Sequence, residues 1–242
     1  MENKIKLLLL SGGSLVGRNI LDSISHRRYF FELIAMNSVA GEPSLFEFDK
    51  VYLSPSLVEK PGEFLGLFSQ VVLKEKPDMV IPCRDEDVAF LSKIAKDQLF
   101  PFSHFLCGPS SIAHAFLDKW ASWQLSLELD LPFAPTLCMD AGDDTLQEFL
   151  EAAGFPLIAK PKKGFGSLGV FLITEASQLK HLWNRGDYVI QKYLGNPQMV
   201  SNYLTQLEVR GVPIFHSCEE TKRSVQSSIG PTGEVGGFII TE

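Results

Sequence analysis

Apolar positions over the first 110 residues switch repeatedly between the period of a strand and the period of a helix. Ile5–Leu10 is an apolar run that stops at Ser11-Gly12-Gly13, which predicts a buried parallel strand entering a turn. Leu15, Val16, Ile20, Leu21 and Ile24 then follow helical spacing over Leu15–Ile24. Phe31–Met36 and Lys50–Leu53 read as two further strands. Pro61–Leu73 carries Phe64, Leu65, Leu67, Phe68, Val71 and Val72 on a helix with Pro in its first turn. Asp78–Pro82 reads as another buried strand, and Asp85–Ala95 as a helix whose opening acids, Asp85, Glu86 and Asp87, suit its positive N-terminal end. Strands alternating with helices predict a parallel, doubly wound sheet.

After Cys107-Gly108-Pro109 the pattern changes. Ser110–Leu129 has helical character and contains Asp118-Lys119, and Leu131–Pro135 is an extended connector whose prolines disfavour helix. Thr145–Ala153 reads as a short amphipathic helix ended at Gly154. Two apolar runs, Phe155–Ala159 and Val170–Ile173, flank Lys160-Pro161, two more lysines and a loop spaced by glycines. A helix around Ala176–Trp183, a strand over Tyr188–Leu194 and a hairpin of Tyr203–Val209 with Pro213–His216 are expected next. Gly236–Glu242 is an apolar strand that simply stops, and on that ground the chain reads as part of a longer protein.

Composition narrows the class. The chain has 242 residues, 45% hydrophobic and 21% charged, which describes an ordinary globular protein with capacity for one large domain or two smaller ones. A net charge of −7 argues against a surface devoted to nucleic acid. No apolar run approaches membrane-spanning length, and the N-terminal leucines are too few for a secretory leader, so a cytoplasmic protein with no membrane partner is expected. Cys83, Cys107, Cys138 and Cys218 show no metal-ligand spacing and read as structural thiols.

Charge is uneven in a way that points to chemistry. Trp120–Ala159 holds seven acids and no Lys or Arg, and then Lys160, Lys162 and Lys163 arrive together. With Gly164, Gly166, Ser167 and Gly169 they form a basic, flexible loop between two strands, suited to closing over polyphosphate. A solvated lysine-rich turn is the plainer alternative. The glycines Gly12, Gly13 and Gly17 invite a dinucleotide reading, but their spacing is G-G-x-x-x-G and the second strand ends at Asn37-Ser38 without an acid for a ribose. A structural tight turn is the preferred reading there.

Four passages in order resemble the ATP-grasp superfamily, in its carbamoyl-phosphate-synthase and biotin-carboxylase-like branch. They are Pro77–Leu91 (PDMVIPCRDEDVAFL), Asp118-Lys119 with Leu129–Thr136 (LDLPFAPT), the stretch GFPLIAKPKKGFGSLGV, and Val189–Gln198 (VIQKYLGNPQ). The resemblance implies an α/β fold: a pre-ATP-grasp, Rossmann-like parallel sheet followed by an incomplete α+β ATP-grasp domain. It divides the chain into residues 1–115, a lid subdomain with linker helix over 116–190, and the start of a C-terminal subdomain over 191–242.

The resemblance also implies a site. Lys119 and Lys160 would touch the nucleotide phosphates, and Gly164, Gly166, Ser167 and Gly169 would cover them. Gln191 falls where the family often has a Glu that accepts from the adenine amino group, and Lys192 and Leu194 would offer backbone groups to the purine edge. Gln198 falls where many members have a Glu near the ribose. ATP is the implied cofactor, with Mg²⁺ held by acids expected beyond Glu242, so neither catalytic nor metal residues are assigned within the chain. The implied activity is an ATP-dependent carboxylate–amine ligase working through an acyl phosphate, on small-molecule acid and amine substrates, with a homodimer compatible. This chain alone is expected to be inactive. A nucleotide-binding module without turnover and a Rossmann NAD(P) oxidoreductase are the competing readings. Lys222 and Arg223 read either as charges for phosphate or an acidic substrate or as plain surface charges, and Glu219 and Glu220 as a solvated strand edge.

Overall fold

A computed structural model of the chain describes residues 4–96, 100, 103–164, 166–211, 223–230 and 232–241. It divides into two compact units, Met1–Leu131 and Pro132–Glu242.

In the first unit β1 (Ile5–Leu10), α1 (Leu15–Ile24), β2 (Phe31–Asn37), β3 (Lys50–Leu53), α2 (Pro61–Glu75), β4 (Met79–Pro82), α3 (Asp85–Lys96) and β5 (His104–Phe105) precede two short helices, α4 (Ser110–Leu117) and α5 (Lys119–Glu128). The strands form one parallel sheet in the order β3-β2-β1-β4-β5. Successive side chains on a strand point to opposite faces. Leu8, Leu10, Ile34, Met36 and Val80 therefore pack on one side against Phe64, Phe68, Val71 and Val72 of α2 and Leu91 and Ile94 of α3. Leu7, Leu9, Leu33, Ala35 and Ile81 pack on the other against Leu21 of α1, Leu45 and Phe48. Burial on both faces is why the strands read as unbroken apolar runs.

The turn from β1 into α1 depends on its glycines. A Cβ on Gly17 would lie 2.0 Å from the Gly12 carbonyl oxygen, and one on Gly13 would lie 1.8 Å from the Glu42 carboxylate. The buried Asn37 holds this turn: its Oδ1 accepts from Gly13 N–H (3.0 Å), and its Nδ2 donates to Val39 O (2.7 Å) and to Glu42 (2.8 Å). A carboxylate and an inward-tied amide thus fill the place where a dinucleotide would need open, positive space, which supports the tight-turn reading. The acids opening α3 have divided tasks. Asp87 is buried and reaches back to accept from the N–H groups of Cys83 (3.3 Å) and Arg84 (3.1 Å), closing the helix start.

In the second unit β6 (Thr136–Cys138), α6 (Asp143–Ala153), β7 (Leu157–Pro161), β8 (Phe171–Ile173), β9 (Tyr188–Lys192) and α7 (Pro197–Arg210) are followed by a hairpin of β10 (Ser224–Ile229) and β11 (Val235–Thr241). The first four strands make an antiparallel sheet ordered β6-β9-β7-β8. Leu137, Leu157, Ala159, Ile173, Tyr188 and Ile190 bury one face of it against Leu146, Phe149 and Leu150 of α6 and against Leu179 and Leu182 of a short 3-10 segment, Ala176–Leu182.

Several sequence expectations need correction. The helical character read over Ser110–Leu129 holds and resolves into two helices, because Asp118 takes an extended conformation and its carboxylate accepts from Trp120 N–H (2.9 Å) and Ala121 N–H (3.3 Å), capping a fresh start at Lys119. Tyr203–Val209 is not a hairpin strand but the body of α7. Asn196 accepts from Gln198 N–H (2.9 Å), Pro197 occupies the first turn, and Gly211 at φ 83° ends the helix. Its proposed partner Pro213–His216 lies outside the described residues, as do Lys222, Glu219, Glu220 and Cys218. The strand expected over Tyr188–Leu194 ends at Lys192. Among the described residues no helix is long and apolar enough to cross a membrane.

This packing gives two glycine substitutions opposite signs. Gly17→Ala drives a Cβ into backbone and is expected to cost about 2–4 kcal/mol in chemical denaturation. Gly66→Ala, on the exposed side of α2 with nothing within 4 Å of the added carbon, is expected to stabilise by about 0.5–1 kcal/mol. Burial pushes the Asp87 carboxyl from its ordinary 3.8 up to about 6, against hydrogen bonds from Ser11 and the Cys83 N–H that favour the charged form. The folded state thus prefers the protonated acid, so this contribution is complete below pH 3.8 and is lost as pH rises through about 6. Urea titrations of wild type and Asp87→Asn between pH 4 and 7 should diverge against wild type by roughly 2–3 kcal/mol as pH rises.

Candidate nucleotide-binding face

The second unit's sheet has an opposite face, and its register determines what that face carries. Thr136 pairs with Gln191, and Gln191 with Ile158; in the next row Cys138 pairs with Val189, and Val189 with Lys160. These side chains alternate away from the apolar core on α6, so Lys160 and Gln191 share a face, diagonal to one another across β7 and β9.

Gln191 is 9% exposed, and both ends of its amide have partners. Its Oε1 accepts from Lys160 Nζ (2.6 Å), and its Nε2 donates to Thr136 Oγ1 (2.8 Å) and toward Ala134 O (3.4 Å). The orientation of the amide follows from its partners. Ala134 O can only accept, and Thr136 already donates its hydroxyl hydrogen to that oxygen (2.8 Å), so both present acceptors to the NH₂ end. The carbonyl end is left for Lys160.

The basic loop joins β7 to β8 beside Lys160. Its base is pinned by Lys162 N–H donating to Asp187 O (2.8 Å), and the described residues from Lys163 to Val170 are exposed. Gly164, Gly166, Ser167 and Gly169 all have positive φ, at 133°, 65°, 59° and 72°. Positive φ at four described positions of the loop is the kind of backbone that lets N–H groups turn toward an anion. At Gly169 a Cβ would also lie 2.7 Å from the Tyr188 hydroxyl, so close packing excludes a side chain there. Cys138, in the same row as Lys160, has its thiol pushed up by burial, an effect that neighbouring Lys162 opposes and Asp140 reinforces.

The remaining sequence candidates lie around this face or away from it. Lys192 closes β9 with its N–H already donated to Pro135 O (2.9 Å), and Leu194 follows the strand, 75% exposed. Gln198 sits in the first turn of α7 and donates to Asn202 Oδ1 (3.0 Å). Lys119 opens α5 and belongs to the first unit. Arg223 directly precedes β10. Sequence reasoning assigned no role to Thr136 or to the Ala134 carbonyl, which orient Gln191; the only available signal was a hydroxyl beside the apolar Leu137-Cys138. Among the described residues no three His, Cys, Asp or Glu side chains gather as a metal site.

A parallel sheet unit followed by an antiparallel sheet with a basic hairpin loop is the fold of the ATP-grasp enzymes, and the chain has that fold. It superposes on an N5-carboxyaminoimidazole ribonucleotide synthetase in an ADP complex with a TM-score of 0.64 at 13% identity, covering 98% of this chain and 52% of that one. An L-amino acid ligase from Bacillus licheniformis superposes with a TM-score of 0.58 at 15% identity, over 80% of this chain and 45% of the ligase. No family model matches the chain. In sequence it is 30% identical over 190 residues to a formate-dependent phosphoribosylglycinamide formyltransferase of Bacteroides thetaiotaomicron, and 29% identical over 185 residues to that of Bacteroides fragilis. Each match takes in 75% of this chain and 43% of the relative, so the chain spans less than half the length of the curated relatives it matches.

Proposed function

We propose that this chain carries the nucleotide-binding part of an ATP-dependent carboxylate–amine ligase, in the carbamoyl-phosphate-synthase and biotin-carboxylase-like branch, that works through an acyl phosphate. The observation that carries the reading is Lys160. It is held at the end of a strand by a buried amide, next to a loop of left-handed glycines, on the polar face of the ATP-grasp sheet.

In this reading Lys160 and the loop N–H groups neutralise and orient the phosphates of ATP. Fixed donors in a dry site stabilise the charge of the transferring phosphoryl group without having to reorganise. Lys119 is the other lysine that the family resemblance assigns to the phosphates. Lys192 and Leu194 flank the purine through their backbone, and Gln198 lies toward the ribose. Magnesium, when bound, would add positive charge at the phosphates. The loop over residues 162–170 acts as a lid that keeps water from the acyl phosphate before the amine attacks. The names of the curated relatives and of the superposed ligases support the class.

Calorimetric titration of the full chain with MgATP tests the reading. Wild type should bind ATP, and Lys160→Met should weaken binding by about 10- to 100-fold, the loss of one charge-assisted contact. Binding of NADH without ATP, or equal ATP affinity in Lys160→Met, would overturn it.

A further inference from the structure

We propose that Gln191 is the positioning residue for Lys160, and that its side chain serves this lysine and not the purine. The inference rests on the nucleotide reading of the same face and deepens it.

Three observations carry it. First, every polar atom of the Gln191 side chain is used inside the protein: Oε1 by Lys160, and Nε2 by Thr136 and the Ala134 carbonyl. An adenine amino group could take only the second lone pair of Oε1, next to a 2.6 Å bond from an ammonium, in a side chain that is 9% exposed. Second, the amide cannot turn to offer a different end. Reversal would set its carbonyl against the carbonyl of Ala134 and its NH₂ against the Lys160 ammonium. Third, the bond is a diagonal cross-strand contact between β7 and β9, and a long, flexible lysine gains a fixed direction from such a partner. An amide does this without adding negative charge. A carboxylate in the same place would form an ion pair with Lys160 and offset the charge that an incoming phosphate needs.

Other groups face or flank Lys160. Cys138 shares its row on β6, and Lys162 and Asp140 lie next to that thiol. On β9 the row partner is Val189, and Lys192 alternates to the opposite face. All of these stay unchanged when position 191 alone is substituted.

The experiment has two arms on the full chain, with Gln191→Met as a near-isosteric loss of the amide and Gln191→Glu as its charged counterpart. In the first arm, acylation of individual lysines by an amine-reactive ester is followed against pH by mass spectrometry. Gln191→Glu should raise the titration midpoint of Lys160 by about one unit, and so slow its acylation near pH 8 about tenfold, while the exposed Lys163 is unchanged. In the second arm, calorimetry compares ATP with purine riboside triphosphate, which lacks the 6-amino group. Gln191→Met should weaken both nucleotides equally, by about tenfold, and add nothing to Lys160→Met in the double variant.

A Lys160 midpoint indifferent to Gln191→Glu overturns the positioning role. So does a Gln191→Met loss that appears with ATP alone and adds to that of Lys160→Met, since that is the signature of a purine contact. If Gln191→Met fails to fold, Gln191→Glu decides through the first arm. Wild type that binds neither nucleotide overturns the ATP reading, while the acylation arm still decides whether Lys160 and Gln191 are coupled.

Discussion

A side-chain amide buried in a sheet must find partners at both ends, because leaving either unsatisfied costs on the order of 1–3 kcal/mol. Gln191 meets that demand by joining three segments: the approach to β6 through Ala134 and Thr136, its own strand β9, and β7 through Lys160. The pairing register of the second unit is fixed from both sides by this arrangement. A slip of one residue in β9 would turn Gln191 into the apolar layer with Leu157, Ile173 and Leu182, and would bring Ile190 out beside Lys160. The core on α6 and the polar cluster on the other face therefore enforce the same alignment. The basic loop starts from β7, so where it begins depends on that alignment too.

The two glycine-rich turns of the chain look alike in sequence and are opposite in physical role. In the turn from β1 to α1, an added Cβ meets backbone or a carboxylate, and Asn37 and Glu42 close the space around it. Those glycines serve close packing. Between β7 and β8, an added carbon at Gly164 or Gly166 would meet nothing, and the requirement there is positive φ. Those glycines serve backbone direction in an exposed loop beside Lys160. Spacing alone cannot separate a turn packed shut from one held open; the neighbouring residues decide it.

Much of the fold was legible where the apolar period was unambiguous. β1 and α1 have the limits read from the sequence, because a long apolar run and clean helical spacing each left one interpretation, and the short β3 has them as well. β6 spans three residues and β10 reads Ser-Val-Gln-Ser-Ser-Ile, so neither offers a period to detect. In α7 the residues Tyr203, Thr205, Leu207 and Val209 alternate like a strand, while the helix is decided upstream by Asn196-Pro197 and the buried Val200. The site shows a similar division. Lys160 and Gln191 stood out by their resemblance to a known pattern, but their bond to each other did not. Residues 31 apart in sequence meet only once the β7–β9 register is known.

That bond bears on how a lysine can be both rigid and available to an anion. An ammonium on four rotatable carbons loses considerable rotamer freedom when it is fixed, so holding it ready requires a partner in the protein. An acid is the strongest such partner, but its negative charge is added to the site that is to receive phosphate. A neutral carbonyl oxygen holds the ammonium at hydrogen-bonding distance and leaves the sign of the site unchanged. The cost of burying an amide is met by Thr136 and the Ala134 carbonyl, which direct its oxygen toward Lys160. A glutamate at position 191 would give up the Ala134 part of this anchoring, because that carbonyl offers no hydrogen to a carboxylate, and would keep Thr136 only by turning its hydroxyl away from Ala134. Glutamine therefore fits the surroundings of β9 from both sides: as an acceptor for Lys160 and as a donor to the β6 approach.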